Sequence, residues 1–170
     1  MALLRITKFG ETVLRKKTQP VQELTPEIQK LIQDMYETMY ASYGVGLAAP
    51  QVDIPLQLAV INVTPDKRNN QFVIINPKIV KREGKIQSEE GCLSLPGVGG
   101  AVFKRSAKVT VEAINEKGLP ITITGEGLLA RCLQHEIDHL HGKMIIHRAP
   151  LKRMWEMRWA IRKLKKENMW

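Results

Sequence analysis

The chain predicts an α+β protein. Segments of helical period stand near its start, in its late middle and at its end, and short β-branched runs lie between them at uneven intervals. A βαβ series would alternate the two kinds of element regularly, and this sequence does not.

The first helix is announced by Thr25-Pro26-Glu27, with Thr as N-cap, Pro at the first helical position and an acid in the first turn. Ile28, Leu31, Ile32, Met35 and Met39 then recur at helical spacing, and Gly44 closes the run. Leu56 to Val63 and Phe72 to Asn76 are apolar, β-branched and bounded by Pro and Asn, so both predict strands. Val109 to Ile114 and Leu119 to Thr124 flank Asn115-Glu116-Lys117-Gly118, a hairpin turn. A second helix is expected from about Gly125 to His141, stopped by Gly142, and a last one from about Leu151 to Glu167. There are no repeats and no linker rich enough to divide the chain, so its 170 residues predict one domain.

The bulk properties exclude several classes. No apolar run approaches the roughly 18 residues of a membrane span. Arg5 and Lys8 interrupt the apolar residues of the first ten, so these are structured chain rather than an export signal. Cys92 and Cys132 are the only cysteines, too few for a disulfide framework, and the expected setting is a reducing bacterial cytoplasm. The net charge of +9 favours polyanionic partners. Much of it is local: from Pro150 to Trp170 there are seven Lys or Arg against Glu156 and Glu167.

His135-Glu136-Ile137-Asp138-His139 reads H-E-x-x-H. On a helix, positions i and i+4 share a face, so two imidazoles can grip one metal ion while the adjacent glutamate works on a metal-bound water. Chance alone would put this pattern in about one chain in 50 of this length, so its neighbours must decide. A catalytic metal needs a third protein ligand and an open position. His141 follows His139 too closely to share its face, and His147 lies past the helix end. Cys92 is the better candidate, in Glu90-Gly91-Cys92-Leu93-Ser94, because a cation holds a loop cysteine as thiolate; otherwise it is a small buried hydrophobe. Cys132 shares the helix face, but three ligands along one helix make poor tetrahedral geometry, so it reads as a core residue. In Gly44-Val45-Gly46-Leu47-Ala48-Ala49-Pro50-Gln51 the small residues let another backbone pass, and Gln51 offers an amide donor for an oxyanion. Alone, that segment would be read as a helix cap followed by a tight turn.

Taken together, these three segments resemble the peptide deformylase family, whose pattern is G-x-G-L-A-A-x-Q, then E-G-C-L-S, then Q-H-E-x-D-H-L. The resemblance spans essentially the whole chain. It implies antiparallel β-sheets surrounding a central metal-binding helix, with an N-terminal and a C-terminal helix, and removal of the N-formyl group from the initiator methionine of nascent proteins. It implies Cys92, His135 and His139 as metal ligands with water as the fourth. The ion would be Fe²⁺ physiologically, with Zn²⁺, Ni²⁺ or Co²⁺ able to occupy the site. Glu136 would be the general base, and Gln51 and the Leu93 N–H would hold the oxyanion. Gly46 would contact the substrate amide, Val45, Leu128 and Cys132 would form the methionine pocket, and Glu90 and Asp138 would orient their neighbours.

Three departures stand out. Gly97-Val98-Gly99-Gly100 lacks the Arg or Tyr often found there to anchor substrate. Phe103-Lys104-Arg105 replaces a Pro-Arg, and one of its cations is the candidate substitute. His147 stands where an acid is common.

On the last helix, Met154, Met157, Ile161 and Leu164 form a stripe expected to pack inward. Trp155 and Trp159 lie on a neighbouring face among Arg158, Arg162, Lys163 and Lys166. That face is either a solvated basic surface whose rings cover the core or a docking surface for the ribosome. Neither DNA nor a membrane is expected as a partner. Two other readings of the chain compete: a zinc endopeptidase, against which the Cys92 segment argues, and a ribosome-associated binding module with a structural metal, for which Glu136 would be superfluous.

Overall fold

The computed structural model describes residues 2–170, apart from the side chain of Phe103. Helix α1 (Pro26–Ala41) begins where the capping signal puts it, with Thr25 Oγ1 accepting from the Ile28 N–H. It ends before Gly44, and Tyr43, at φ 55°, takes the left-handed position of the exit turn.

Seven strands follow: β1 (Gly46–Ala48), β2 (Leu58–Ile61), β3 (Phe72–Glu83), β4 (Ile86–Glu90), β5 (Ala101–Arg105), β6 (Lys108–Ile114) and β7 (Pro120–Glu126). Five of them form an antiparallel sheet in the order β1-β2-β3-β6-β7, while β4 and β5 pair as a separate two-stranded sheet. Helix α2 (Gly127–Leu140) and helix α3 (Leu151–Lys166) complete the chain.

The β1–β2 part of the large sheet and the first residues of β3 are buried on both faces, and the period of two shows how. Leu47, Leu58, Val60, Val73 and Ile75 face α1. Ala48, Ala59, Ile61, Ile74, Val109 and Val111 face α2. This is why β2 is a continuous apolar run rather than an alternating one. A third cluster joins Met157 and Ile161 of α3 to Leu95, Val98 and Ile146. The antiparallel α+β architecture around a central helix is therefore the expected one.

Three boundaries differ from expectation. The strand expected to stop at Asn76 runs on to Glu83. Asn76 adopts φ 52°, its side chain pairs with both backbone groups of Val21, and the register shifts between Ile75 and Lys78. A bulge of this kind lets Pro77 sit inside a strand. The strand expected from Leu56 shortens to Leu58–Ile61. Segment 46–48, expected to be a turn, is the edge strand of the sheet, with a 3₁₀ turn at Ala49–Val52 after it. At the end of α2, the Leu140 carbonyl accepts from both the N–H and the Oγ1 of Thr18, which fastens the helix to the N-terminal segment. Gly142, at φ +69°, ends that helix as expected.

Candidate metal centre

Helix α2 passes behind the β4–β5 loop, which carries Cys92. Cys92 Sγ lies 3.3 Å from His139 Nε2, and His139 Nε2 lies 3.3 Å from His135 Nε2. Among the described residues, these three form a group whose ligand atoms all lie within 4.8 Å of one another. Two nitrogens bound tetrahedrally at about 2.0–2.1 Å from one ion stand about 3.3–3.4 Å apart, so the histidine spacing suits a shared metal. One thiolate and two imidazoles are a borderline-soft donor set matched to a divalent transition metal. Cys132 stays outside this group: its Sγ donates to the Val45 carbonyl at 3.4 Å, and burial pushes its thiol well up. His141 bonds the Ile137 carbonyl and His147 accepts from the Met144 N–H, so neither joins the cluster.

Beside these ligands opens a cleft of about 500 Å³. Val45, Gly46, Gln51, Cys92, Leu93, Leu128, Cys132, His135 and Glu136 all line it, so nine of the ten residues expected in the site share one wall. The tenth, His139, is buried behind it. Gln51 is fully buried, and its Oε1 accepts from the Ala48 N–H at 2.9 Å. The amide nitrogen is thereby turned toward Ser94 Oγ at 3.3 Å and Cys92 Sγ at 3.8 Å, as a donor facing the cleft should be.

Glu136 has an Oε2 that is buried without a hydrogen-bond partner. Burial pushes its carboxyl up to about 7, helped by the negative charges of Glu90 and Asp138 and opposed by His135 and Arg105. Glu90 behaves oppositely. Burial alone would raise it, but hydrogen bonds and charge from Arg105 and His135 bring it down to about 2.

Behind the histidines lies a buried ion-pair network. Glu90 Oε2 accepts from His135 Nδ1 at 3.1 Å, leaving Nε2 turned toward His139. Arg105 holds Glu90 through two parallel bonds of 2.7 and 2.8 Å and reaches Asp138 at 2.6 Å. Asp138 also binds Arg148. Glu90 thus touches His135 directly, whereas Asp138 is linked to it only through Arg105 and Glu90. Arg105 is wholly committed here and Lys104 lines a different cleft, so neither is placed to serve as the substitute substrate anchor the sequence suggests. The sequence offers Arg105 only as a candidate substrate anchor; its place behind the histidines comes from the pairing of β5 with β4. Arg131, which also lines the cleft, carries a readable signal: it precedes His135 by four positions on the same helix face.

Three clustered residues able to hold a metal ion, with a buried carboxylate at their side on an α+β scaffold, form the arrangement of a metal-dependent hydrolase. Comparison with known proteins narrows the class. A family profile described as polypeptide deformylase matches residues 3–155. The peptide deformylase of Desulfitobacterium hafniense is 49% identical over 149 residues, covering 88% of this chain and 96% of its own. That of Neisseria gonorrhoeae is 43% identical over 169 residues, covering 99% of this chain and all of its own. Among solved structures, the Legionella pneumophila peptide deformylase matches at a TM-score of 0.93 with 44% identity, covering 98% of each chain. The Synechococcus elongatus enzyme, solved in complex with actinonin, matches at 0.85 with 40% identity, covering 94% of this chain and 85% of its own. The chain belongs to the polypeptide deformylase family. The zinc endopeptidase and binding-module readings find no support in these relatives.

Proposed function

We propose that Cys92, His135 and His139 hold one divalent metal ion, Fe²⁺ in the cell, and that Glu136 is the proton-transfer residue of the reaction. The activity itself follows from family membership: removal of the N-formyl group from the N-terminal methionine of newly made proteins. The observation that carries the residue assignment is the convergence of three ligand atoms beside the unpartnered Oε2 of Glu136, at the wall of a cleft.

When bound, the ion supplies Lewis acidity and lowers the pKa of a coordinated water. Glu136 takes the proton of the water that attacks the formyl carbon and later passes it to the departing amine nitrogen. The Gln51 side-chain amide, held by Ala48, donates to the oxyanion as it develops, together with the Leu93 N–H. Gly46 offers its backbone to the substrate amide, and Val45, Leu128 and Cys132 surround the methionine side chain. Zn²⁺, Ni²⁺ or Co²⁺ fit the same donor set.

The C-terminal helix is read as a ribosome contact. Met157 and Ile161 are buried, with Met154 and Leu164 packed beside them, whereas Trp155 and Trp159 are 57% and 66% exposed. The two rings therefore do not cover the core. With Arg158, Arg162, Lys163 and Lys166 also exposed, the outer face combines stacking surface with positive charge, as RNA binding requires. Among the described residues, no helix is long and apolar enough to cross a membrane. The chain is proposed to work as a single domain in the bacterial cytoplasm.

The direct test is anaerobic deformylation of formyl-Met-Ala-Ser by Fe²⁺- or Ni²⁺-loaded protein, with Glu136→Ala alongside. Formate from the wild type alone supports the assignment; no formate from folded, metal-loaded protein overturns it. For the ribosome contact, neutralising Arg158, Arg162, Lys163 and Lys166 should weaken co-sedimentation with ribosomes and flatten its salt dependence. An unchanged affinity and salt slope would leave α3 a purely structural element.

A further inference from the structure

The loop between β4 and β5 does two jobs. Its first half presents Cys92, and its second half, Leu95 to Gly100, forms one rim of the cleft. The first half is well anchored: Phe9 N–H donates to the Ser94 carbonyl, Gln51 Nε2 donates to Ser94 Oγ, and Leu95 N–H closes a turn onto the Cys92 carbonyl. The second half contains Gly97, Gly99 and Gly100, and the first two adopt φ of +70° and +74°. Such a stretch loses much conformational entropy on ordering and needs something to hold it.

That support comes from α3. Arg153 donates from Nη2 to the Gly100 carbonyl at 2.6 Å and from Nε to the same oxygen at 3.2 Å, with Nη2 also 3.5 Å from the Val98 carbonyl. Its remaining nitrogen, Nη1, is held by Glu156 at 3.1 Å, which fixes the guanidinium plane. A Cβ on Gly99 would stand 3.4 Å from Arg153 Nη2, and one on Gly97 would stand 3.4 Å from Leu164 Cδ1. Between these contacts, Val98 is buried in the cluster that contains Met157 and Ile161. Arg153 is not among the cleft-lining residues, so it grips the rim from behind.

We infer that Arg153 is a positioning residue for the substrate cleft, holding the Val98–Gly100 rim in place from the C-terminal helix. The inference rests on the substrate reading above. In this chain an arginine from α3 steadies a rim whose own loop carries glycine at 97, 99 and 100. The helix that presents Trp155 and Trp159 outward thereby backs the rim of the site on its inner side.

The test compares the wild type with Arg153→Ala and Arg153→Lys by two readouts. Amide hydrogen exchange of the metal-free protein should show the 95–101 segment exchanging at least about tenfold faster in Arg153→Ala, because a charged hydrogen bond to half-buried backbone is lost. Protection of α2 and the large sheet should be unchanged. In the metal-loaded enzyme, KM for formyl-Met-Ala-Ser should rise about five- to tenfold with kcat within twofold. Arg153→Lys, which still donates to the Gly100 carbonyl, should recover part of both effects. A merely structural arginine would lower the active fraction, and hence kcat, without moving KM. Unchanged exchange in 95–101, or unchanged KM with active wild type, overturns the inference. Wild-type protein that releases no formate defeats the functional reading instead, and exchange alone then judges the clamp.

Discussion

The backbone of Gly46 runs directly against the carboxylate of Glu136. A Cβ at position 46 would collide with Glu136 Oε1 and stand 2.7 Å from Cys132 Sγ. Gly46→Ala must therefore push the carboxylate aside or move β1 off β2. The expected result is a fall in kcat/KM of at least about 100-fold, the scale set by an ångström of misplacement. Stability should drop by about 1–3 kcal/mol from overpacking. Formate release and thermal unfolding measure the two.

Glu136 presents the opposite balance of stability and activity. Its Oε2 is buried without a partner, and burial is what raises the carboxyl to about 7. Glu136→Gln should lower turnover by about 10²–10⁴-fold while leaving the metal content per chain unchanged. Its unfolding midpoint should equal or exceed that of the wild type, since a costly buried carboxyl is gone. A variant retaining a tenth of the rate would remove Glu136 from the proton-transfer role.

Arg105→Met would leave Glu90 and Asp138 buried, at 6% and 13% side-chain exposure, without their shared counter-charge. Breaking one side of a buried ion pair costs about 3–5 kcal/mol, and urea unfolding should show a loss of that size. Because Glu90 orients His135, metal affinity should fall as well, by about 10–100-fold. A metal titration of the folded variant separates this effect from the loss of stability.

Metal removal tests the ligand set without reference to turnover. Stripping the protein with a chelator should lower its unfolding midpoint, because a ligand at 1,000 times its Kd stabilises the folded state by about 4 kcal/mol. Cys92→Ser should be nearly insensitive to chelator. Cys132→Ser, altering a thiol outside the triad, should retain the shift.

The site was more legible than the sheet that holds it. Cys92, His135 and His139 are chemically distinctive, and helical spacing alone places two of them together, so their convergence needed no tertiary information beyond one loop. The α1 cap at Thr25 and the Asn115–Gly118 turn were equally plain, being local signals with local causes. The strands β4 and β5 were not. Ile86-Gln87-Ser88-Glu89-Glu90 has no apolar face to announce it, and its buried end residue is an ionised Glu90 whose partner Arg105 comes from the facing strand. β1 was hidden by its glycines, which suggest a turn until pairing with β2 buries Leu47 and Ala48. The roles of Arg105 and Arg153 depend on contacts distant in sequence, and spacing carries no trace of them.

Helix α2 concentrates several obligations in six consecutive residues. Gln134 exchanges hydrogen bonds with both backbone groups of Ser106, as a neighbouring strand would. His135 and His139 are the two proposed metal ligands from this helix, Glu136 faces the cleft, and Asp138 faces the arginines. Each residue of a helix is turned about 100° from the last. Inserting or deleting a single position here would misdirect all of these side chains together, with no partial loss through which descent could pass. A change of length should be tolerated at a turn such as Asn115–Gly118, which touches none of these side chains, and not within α2.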